Sequence, residues 1–202
     1  MLLIDSFIFQ FSSILPSQQQ ALPWNLTKNL TTILLKIMAD LDSNYSVINN
    51  VAIHKTAVVE STAVLKAPII IGKNCFVGAN AYLRGGVYLT EYVTVGTGCE
   101  IKSSIIFPHS AVAHFNFIGD SIIGSYVNFE AGSITANHHN DRVDKQISVV
   151  HNSILLKTGT EKFGALVGDH SKIGANAVLS PGTLLPPNTI VKRLELIEQK
   201  LY

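Results

Sequence analysis

The sequence predicts an all-β fold, a parallel β-helix in which the chain winds around three walls. The first observation is that a large apolar residue recurs at every sixth position from Ile53 to Phe107. The second is that a small or apolar residue follows four positions after each of these anchors. The third is a second run with the same period from Val167 to Val191. A helix would repeat near 3.6 residues and a half-buried strand at 2, so this period indicates stacked coils of short strands joined by tight turns.

The anchors define the register of the predicted coils. Three hexapeptides make one coil of about 18 residues, and successive coils stack as parallel strands about 4.8 Å apart. Between the two runs the step alternates between six and five residues. We therefore expect a continuous apolar column inside the β-helix, with altered coils near its middle. The anchors are Ile53, Val59, Leu65, Ile71, Val77, Leu83, Leu89, Val95, Ile101 and Phe107, followed by Val112, Ile118, Ile123, Phe129 and Ile134.

Three segments depart from the repeat. Residues 1–48 are predicted to form an N-terminal helical cap, because 26–41 carries apolar residues at helical spacing. We expect this helix to cover the open end of the β-helix domain, residues 49–192. Residues 138–162 have no anchors and are predicted as a loop excursion, with ISVV pairing with ILLK across HNS as a hairpin. Residues 193–202 are predicted to form a short C-terminal helix.

Composition narrows the classes of function. Only 14% of the residues are charged, which indicates that much of the surface is buried against another surface, most simply copies of the same chain. The net charge of +1 gives no sign of nucleic-acid binding. No run approaches the ~18 apolar residues of a membrane span, and the apolar start lacks a basic region and carries Asp5. Two cysteines fit a reducing, cytoplasmic setting.

Two cations are predicted to stack on the β-helix. Arg84 and Lys102 each follow an anchor and lie 18 residues apart, and Lys66 lies another 18 before Arg84. Two like charges at about 5 Å repel by ~1 kcal/mol in water and ~3 kcal/mol at an effective dielectric near 20. Either the side chains splay into solvent or they bind an anion. A phosphate suits an Arg/Lys pair, and Gly85-Gly86 leaves room for a ligand against the backbone.

His114 is the candidate general base. It lies in AVAHFNFIGD, where the period slips and aromatic residues flank it. An uncharged imidazole can activate an amine or hydroxyl near neutral pH. A histidine in such a context is more often a hydrogen-bonded structural residue, but the expected nearness of the cationic pair favours catalysis. Asn128 and Asn137 end short strands, where both could serve simply as turn formers.

No metal site is predicted. His138, His139 and Asp141 are metal-ligating residue types, but adjacent histidines in a loop are a weak signal. Cys75 and Cys99 occupy inward positions on different walls, and we interpret them as buried, unreactive thiols.

The segment AVAHFNFIGDSIIGSYVNFEAGSITAN, residues 111–137, resembles the acetyltransferase domain of the bifunctional enzymes that make UDP-N-acetylglucosamine. Those enzymes acetylate glucosamine-1-phosphate from acetyl-CoA and then uridylylate it. AYLRGGVYL and CEIK resemble their ARLRPG and VEMK segments, and 162–179 resembles their next coils, so the resemblance covers roughly 75–192. It implies a left-handed parallel β-helix of hexapeptide repeats, a homotrimer with sites between subunits, and acetyl-CoA as co-substrate.

The resemblance also implies roles for individual residues. His114 would take the proton from the sugar amine as the amine attacks the thioester. Arg84 and Lys102 would hold the sugar phosphate, while Phe117 and Asn128 would lie against the sugar. The coenzyme A arm would run along Ala131, Asn137, His138 and Ala175.

Three positions depart from the family's pattern. Phe117 replaces a sugar-binding tyrosine, His138 replaces a coenzyme-contacting tyrosine, and Ala175 replaces a serine. The glycine-rich nucleotide-binding start of the uridylyl-transferring half is absent. We therefore expect acyl transfer to a different phosphorylated or nucleotide-linked amino sugar. One alternative is a non-catalytic β-helix that binds a sugar nucleotide or assembles with a separate nucleotidyltransferase. Another is a carbonic-anhydrase-like metal enzyme with histidines between subunits.

Overall fold

The fold is a left-handed parallel β-helix with a helical N-terminal segment, seen in a computed structural model that describes residues 2–199. The N-terminal segment contains two 3-10 turns, Ile4–Ser6 and Pro16–Gln18, and three helices: α1 Phe11–Ile14, α2 Pro23–Lys28 and α3 Leu30–Ala39.

Short strands make up the rest of the fold. In chain order they are β1 Tyr45–Ile48, β2 Val51–His54, β3 Val58–Val59, β4 Val64–Leu65, β5 Ile69–Ile71, β6 Phe76–Val77, β7 Tyr82–Leu89, β8 Thr94–Val95, β9 Glu100–Ile106, β10 Ala111–Val112, β11 Phe117–Gly119, β12 Ile122–Ile123, β13 Asn128–Phe129, β14 Ile134–Thr135, β15 Ser148–His151, β16 Ile154–Lys157, β17 Ala165–Val167, β18 Lys172–Ile173, β19 Val178–Leu179, β20 Thr183–Leu185, β21 Ile190–Val191 and β22 Leu196–Ile197.

Parallel pairing sorts these strands into three walls, as the period of six predicts. Wall 1 contains β4, the first parts of β7 and β9, then β11, β14, β19 and β22. Wall 2 contains β2, β5, the second parts of β7 and β9, then β12, β17 and β20. Wall 3 contains β3, β6, β8, β10, β13, β18 and β21.

The predicted anchors form the core, with two corrections. Every anchor from Ile71 to Ile101 is fully buried. Ile106 rather than Phe107 takes the next inward position, because Val87 pairs with Ser104, one residue short of a full coil. Phe107 instead points outward and is buried against the N-terminal segment.

The second correction concerns the anchor predicted at Ile134. Thr135 occupies the inward position there and is fully buried, since it pairs with the anchor Ile118. Ile134 faces outward and is 38% exposed. The sequence pattern placed Ile134 inward because it is the large apolar residue of the two, whereas the residue that does point inward, Thr135, is polar.

The N-terminal segment packs against the outer face of wall 2, so the prediction that its helix covers the open end is wrong. The reason is a row of outward side chains that would otherwise be exposed, and burying this apolar surface stabilises the fold. At the open end, β1 instead pairs antiparallel with β2. The outward row of wall 2 consists of Ala52, Ile70, Tyr88, Ile105, Ile122, Leu166 and Leu184.

The start of this segment is tied to a late coil. The backbone N–H of Asp169 donates to the carbonyl oxygen of Phe7 at 2.9 Å, and the N–H of Phe9 donates to Asp169 Oδ2 at 2.9 Å. Asp169 Oδ1 accepts from the N–H of Ser125 at 2.7 Å. One buried carboxylate therefore joins the first residues to two coils.

The remaining two predictions have opposite outcomes. The hairpin is confirmed, since β15 and β16 pair antiparallel across Asn152 and Ser153, both at positive φ. The C-terminal helix is wrong for 193–199, which form a turn and β22, while 200–202 lie outside the described residues. Leu196 and Ile197 continue the hexapeptide spacing, so they pair with β19 as one more strand of wall 1.

Between residues 2 and 199, no helix has the length and apolar character needed to cross a membrane.

Candidate functional site

Arg84 and Lys102 stack on adjacent coils, as predicted. They are register partners in the pairing of β7 with β9, at the corner between wall 1 and wall 2. Lys66 lies one coil earlier, since its N–H donates to the carbonyl oxygen of Leu83 at 2.8 Å. We call this row, with Asp120 on the following coil, the cation corner.

Two carboxylates of the protein partner the cations of this corner, where the sequence left open either splaying into solvent or a bound anion such as phosphate. Arg84 Nε lies 2.7 Å from Glu100 Oε1, and Lys102 Nζ lies 2.6 Å from Asp120 Oδ2. Asp120 is buried, and the side-chain amide of Asn137 donates to the same Oδ2. These contacts offset the repulsion within the row. The two η-nitrogens of Arg84, Nη1 and Nη2, make no hydrogen bond within residues 2–199. The guanidinium therefore keeps N–H donors for a further anion.

The space beside Gly85 and Gly86 is only partly free. Both residues have positive φ, +70° and +89°, which glycine adopts without a Cβ clash. A β-carbon on Gly86 would lie 3.2 Å from the backbone nitrogen of Thr31, so the start of α3 occupies this side. Gly85 remains open to a cavity.

That cavity, of about 340 Å³, lies between the cation corner, the α2–α3 junction and the end of the excursion. Its cationic residues Lys28 and Lys162 were missed by sequence reasoning. They belong to segments outside the hexapeptide register, where the period gives no positional signal. The lining residues are Thr27, Lys28, Thr31, Gly85, Ser103, Asp120, Thr160 and Lys162.

His114 lies exposed at the corner between wall 3 and wall 1. Its carbonyl oxygen accepts from the side-chain amide of Asn116 at 3.2 Å and from the N–H of Gly132 at 2.9 Å. The backbone is therefore fixed, while the imidazole makes no hydrogen bond to any residue in the described part of the chain. An unengaged ring can accept a proton from a ligand.

Two alanines continue the column above His114. Ala111 and Val112 pair with Asn128 and Phe129, and this register places Ala131 beside His114 on the next coil. The pairing of β13 with β18 similarly places Ala175 beside Ala131. We call these three residues the His114 corner. Because both alanine side chains stop at Cβ, the two coils directly above the imidazole carry no bulky group in this column, and Arg193 lies on the coil after them.

Glu130 fixes the upper part of the His114 corner. Its Oε2 accepts from the N–H of Ala175 at 2.8 Å, and its Oε1 lies 2.7 Å from Arg193 Nη2. The hydrogen bond from Arg193 lowers the pKa of the Glu130 carboxyl, and the N–H of Ala175 adds to this effect. Glu130 is therefore held as a carboxylate that crosslinks two later coils.

The two corners lie at opposite edges of wall 1. Along β11, residues Phe117–Gly119 separate the His114 corner from the level of Lys102, and each strand residue adds about 3.3 Å. Phe117 lies between them, paired with Glu100. No hydrogen bond or ion pair joins the His114 ring to either cation within the described residues. One chain thus presents two clusters of candidate residues instead of a single assembled site.

The other candidates are spread around these clusters. Asn128 is exposed on wall 3 and lines a groove of about 480 Å³. Asn137 is buried at the cation corner, with its amide nitrogen bonded to Asp120 and its Oδ1 3.3 Å from His138 Nδ1. His138 is exposed and lines a groove of about 490 Å³ that also includes Arg142.

Neither the histidine pair nor the cysteines form a metal site. Burial lowers the pKa of His139, and His139 Nδ1 lies 3.8 Å from Asp141 Oδ1. In residues 2–199 no three histidine, cysteine, aspartate or glutamate residues come together as metal ligands would. Burial raises the pKa of Cys75 to about 11 and also raises that of Cys99, which agrees with the interpretation of both as buried thiols.

Comparison with known proteins agrees with this fold. Residues 68–103 match the family described as bacterial transferase hexapeptide (six repeats). Over 183 residues the chain is 38% identical to the bifunctional protein GlmU of Methanococcus vannielii, covering 89% of this chain and 44% of that protein. The chain resembles the acyltransferase domain of GlmU proteins. The resemblance predicted from residues 75–192 is thereby confirmed.

The GlmU-like resemblance extends to a second relative. The bifunctional sugar-1-phosphate nucleotidylyltransferase/acetyltransferase of Sulfurisphaera tokodaii is 35% identical over 94 residues, which is 46% of this chain and 23% of that protein. The chain spans less than half the length of both relatives. A hexapeptide transferase family protein from Anaplasma phagocytophilum aligns over 69% of this chain and 72% of its own, at 23% identity and a TM-score of 0.41.

Proposed function

We propose that this GlmU-like chain is a CoA-dependent N-acyltransferase that moves an acetyl group from acetyl-CoA to the amine of a phosphorylated or nucleotide-linked amino sugar. The observation that carries the proposal is the His114 corner, where an exposed, unengaged imidazole lies at the foot of a column of two alanines. That arrangement supplies a base beside a path for an extended thioester that is clear over the two coils up to Arg193.

The chemistry needs one proton acceptor. The sugar amine attacks the thioester carbonyl, a C–N bond forms, and the C–S bond breaks. His114 removes the proton that the attacking nitrogen must lose and returns it to the departing sulfur, so that CoA leaves as a thiol. A positioned imidazole of this kind contributes roughly 10²–10⁴-fold to the rate.

The donor would run along the His114 corner. Ala131 and Ala175 leave space for the pantetheine arm, because larger side chains at either position would project into the column. Asn137 and His138 would contact the same donor from the other edge of wall 1. The amide nitrogen of Asn137 is already bonded to Asp120, so His138 is the more accessible of the two.

The acceptor would lie at the cation corner. Arg84 uses only Nε for Glu100, and the side chain of Lys102 remains 16% exposed, so both cations keep donors for a phosphate. Phe117 would present its ring to the sugar where the family has a tyrosine. Asn128, exposed on wall 3, would hydrogen-bond the sugar of a neighbouring copy's site.

A homotrimer completes this proposal. The outward row of wall 1 is largely apolar and, unlike that of wall 2, the N-terminal segment leaves it uncovered. Contact between copies along this row would bring the His114 corner of one toward the cation corner of another, and heterologous contacts of this kind close a cyclic trimer. A cytoplasmic location belongs to the same proposal. The row consists of Val64, Tyr82, Glu100, Phe117, Ile134, Val178 and Leu196.

The test is acetyl transfer by the purified protein, followed as release of the CoA thiol with glucosamine-1-phosphate and nucleotide-linked amino sugars as acceptors. His114→Ala is expected to lower kcat by about 10²-fold or more. His109→Ala, an exposed histidine at another corner, is the matched control and is expected to retain turnover. Unchanged turnover in His114→Ala would overturn the assignment of the base.

A second candidate function has its own support. Arg84 and Lys102 already have carboxylate partners, and Phe117 and Ala175 lack the hydroxyls found in the family. A non-catalytic β-helix that binds a sugar nucleotide as a regulatory subunit would tolerate these changes. Binding of UDP-N-acetylglucosamine without thiol release from acetyl-CoA, for every amino sugar tested, would favour this function over the first.

A further inference from the structure

We propose that the N-terminal segment forms part of the acceptor site, and that Lys28 binds the acceptor's phosphoryl group in the cavity at the cation corner. The inference rests on the proposed function and deepens it. It assigns a substrate-binding role to a segment outside the hexapeptide repeats.

The first support is an acceptor atom without a partner. Asp120 is 6% exposed, and its Oδ2 accepts hydrogen bonds from Lys102 Nζ and from the side-chain amide of Asn137. Its Oδ1 accepts no hydrogen bond from residues 2–199, although the side chain lines the cavity. Among the described residues the buried side-chain oxygen without a partner is Ser125 Oγ, so Asp120 Oδ1 is open to the cavity and is free to accept a hydrogen bond from a ligand hydroxyl or amine.

The second support is the balance of charge. Lys28 and Lys162 line the cavity, and neither forms an ion pair with a carboxylate in the described part of the chain. The charge of Asp120 is matched by Lys102. Two uncompensated ammonium groups therefore remain, which suits a phosphate dianion.

The third support is the size and lining of the cavity. Its volume of about 340 Å³ lies at the lower end of the range for small-molecule sites, which fits a hexosamine phosphate better than a whole nucleotide sugar. The hydroxyl of Thr31 lines it and makes no hydrogen bond within residues 2–199. Thr31 follows Lys28 by three residues, so the α2–α3 junction offers a cation and a hydroxyl to one ligand.

The three supports define a ligand with a phosphoryl group and hydrogen-bond donors close to it. The phosphoryl group proposed to contact Arg84 and Lys102 would also contact Lys28, with Lys162 beside it, and a sugar hydroxyl or the amine would donate to Asp120 Oδ1. A sugar without phosphate would keep only the second contact.

The experiment measures binding of glucosamine-1-phosphate, glucosamine and inorganic phosphate to the full chain by calorimetry. Lys28→Gln is expected to weaken binding of glucosamine-1-phosphate and of phosphate by about tenfold, as for the loss of one charged hydrogen bond, and to leave glucosamine unchanged. Lys36→Gln is the matched control, since Lys36 lies on α3, is exposed and does not line the cavity. Lys28→Arg is expected to restore binding.

Turnover separates this inference from the proposed function. If acetyl transfer occurs, Lys28→Gln should raise KM for the sugar phosphate with kcat preserved. Binding of phosphate that depends on Lys28 in a protein without acetyl transfer would keep the cavity as a phosphate site and reject the proposed chemistry. Equal affinity and equal KM in Lys28→Gln and wild type would overturn the inference. Because Lys28 is exposed, the variant is expected to fold, and a thermal melt checks this.

Discussion

Lys102 and Asp120 form an ion pair of 2.6 Å between successive coils of the cation corner. Their side chains are only 16% and 8% exposed, and the amide of Asn137 donates to the same carboxylate oxygen. The pair thereby joins three coils at the point where wall 1 turns into wall 2. The neighbouring pair of Arg84 with Glu100 is more exposed, at 37% and 34%.

Asp120→Asn should destabilise the protein, because it leaves the ammonium of Lys102, which is only 16% exposed, without a compensating charge. We expect a loss of about 2–3 kcal/mol in the free energy of unfolding. Glu100→Gln, which breaks the more exposed pair, should cost less than about 1 kcal/mol. Urea denaturation of both variants measures the difference, and equal losses would show that burial does not distinguish the two pairs.

Gly72→Ala should disrupt the stacking of two coils. A β-carbon on Gly72 would lie 1.3 Å from the carbonyl oxygen of Thr90, and backbone on both coils would have to move. We expect a loss of about 3 kcal/mol or more, or failure to fold. Gly159→Ala is the control: Gly159 has a φ of +68° but no atom within 4 Å, so only backbone strain of about 1 kcal/mol is expected. Thermal unfolding compares them, and a mild effect at Gly72 would contradict the close packing described.

The stability of the protein should fall in alkaline solution partly through Cys75. Burial raises its pKa to about 11 from an ordinary value of 9.0, so the native state resists ionisation that the unfolded chain allows. The contribution is fully present below pH 9 and is lost as the pH rises through 11. The stability difference between wild type and Cys75→Ala should therefore shrink by roughly 2 kcal/mol between pH 8 and pH 11. Urea titrations across this range provide the measurement, and a constant difference would exclude the effect.

Ile134→Glu should weaken association between copies if wall 1 is the contact surface of the proposed trimer. The substitution places a charge in the apolar row, where burial of an unpaired carboxylate is unfavourable. We expect at least a tenfold rise in the dissociation constant, measured by sedimentation equilibrium. Ile190→Glu is the matched control, because Ile190 is 72% exposed and lies on wall 3. If Ile190→Glu weakens association between copies and Ile134→Glu does not, the contact lies on wall 3.

The register of the coils was predictable because it depends only on spacing. Eighteen residues separate Arg84 from Lys102, and the two pair on adjacent coils. Asp120 lies another 18 beyond Lys102, so its partnership with that lysine was accessible to the same reasoning. The register failed at Phe107 because Ile106 is equally apolar, and a period cannot choose between adjacent large residues.

The position of the N-terminal segment was less accessible. Ile69–Ile71 and Ile105–Ile106 place an extra apolar residue beside each anchor, and such runs indicate a strand buried on both faces. That signal would have located the covered wall. Nothing comparable marks Lys28 or Lys162, because their meeting depends on how two non-repeating segments fold onto the corner.

The contacts of Phe7 and Phe9 with Asp169 have a consequence for biosynthesis. Phe7 and Phe9 cannot reach these partners until the chain has been synthesised as far as Asp169, which is 160 residues beyond Phe9. Although α2 and α3 can already pack against β5, β7 and β9, the residues around Phe7 and Phe9 remain without these partners, and such transiently exposed apolar surface is prone to aggregate. The nascent chain is expected to depend on holding chaperones until Asp169 has been translated.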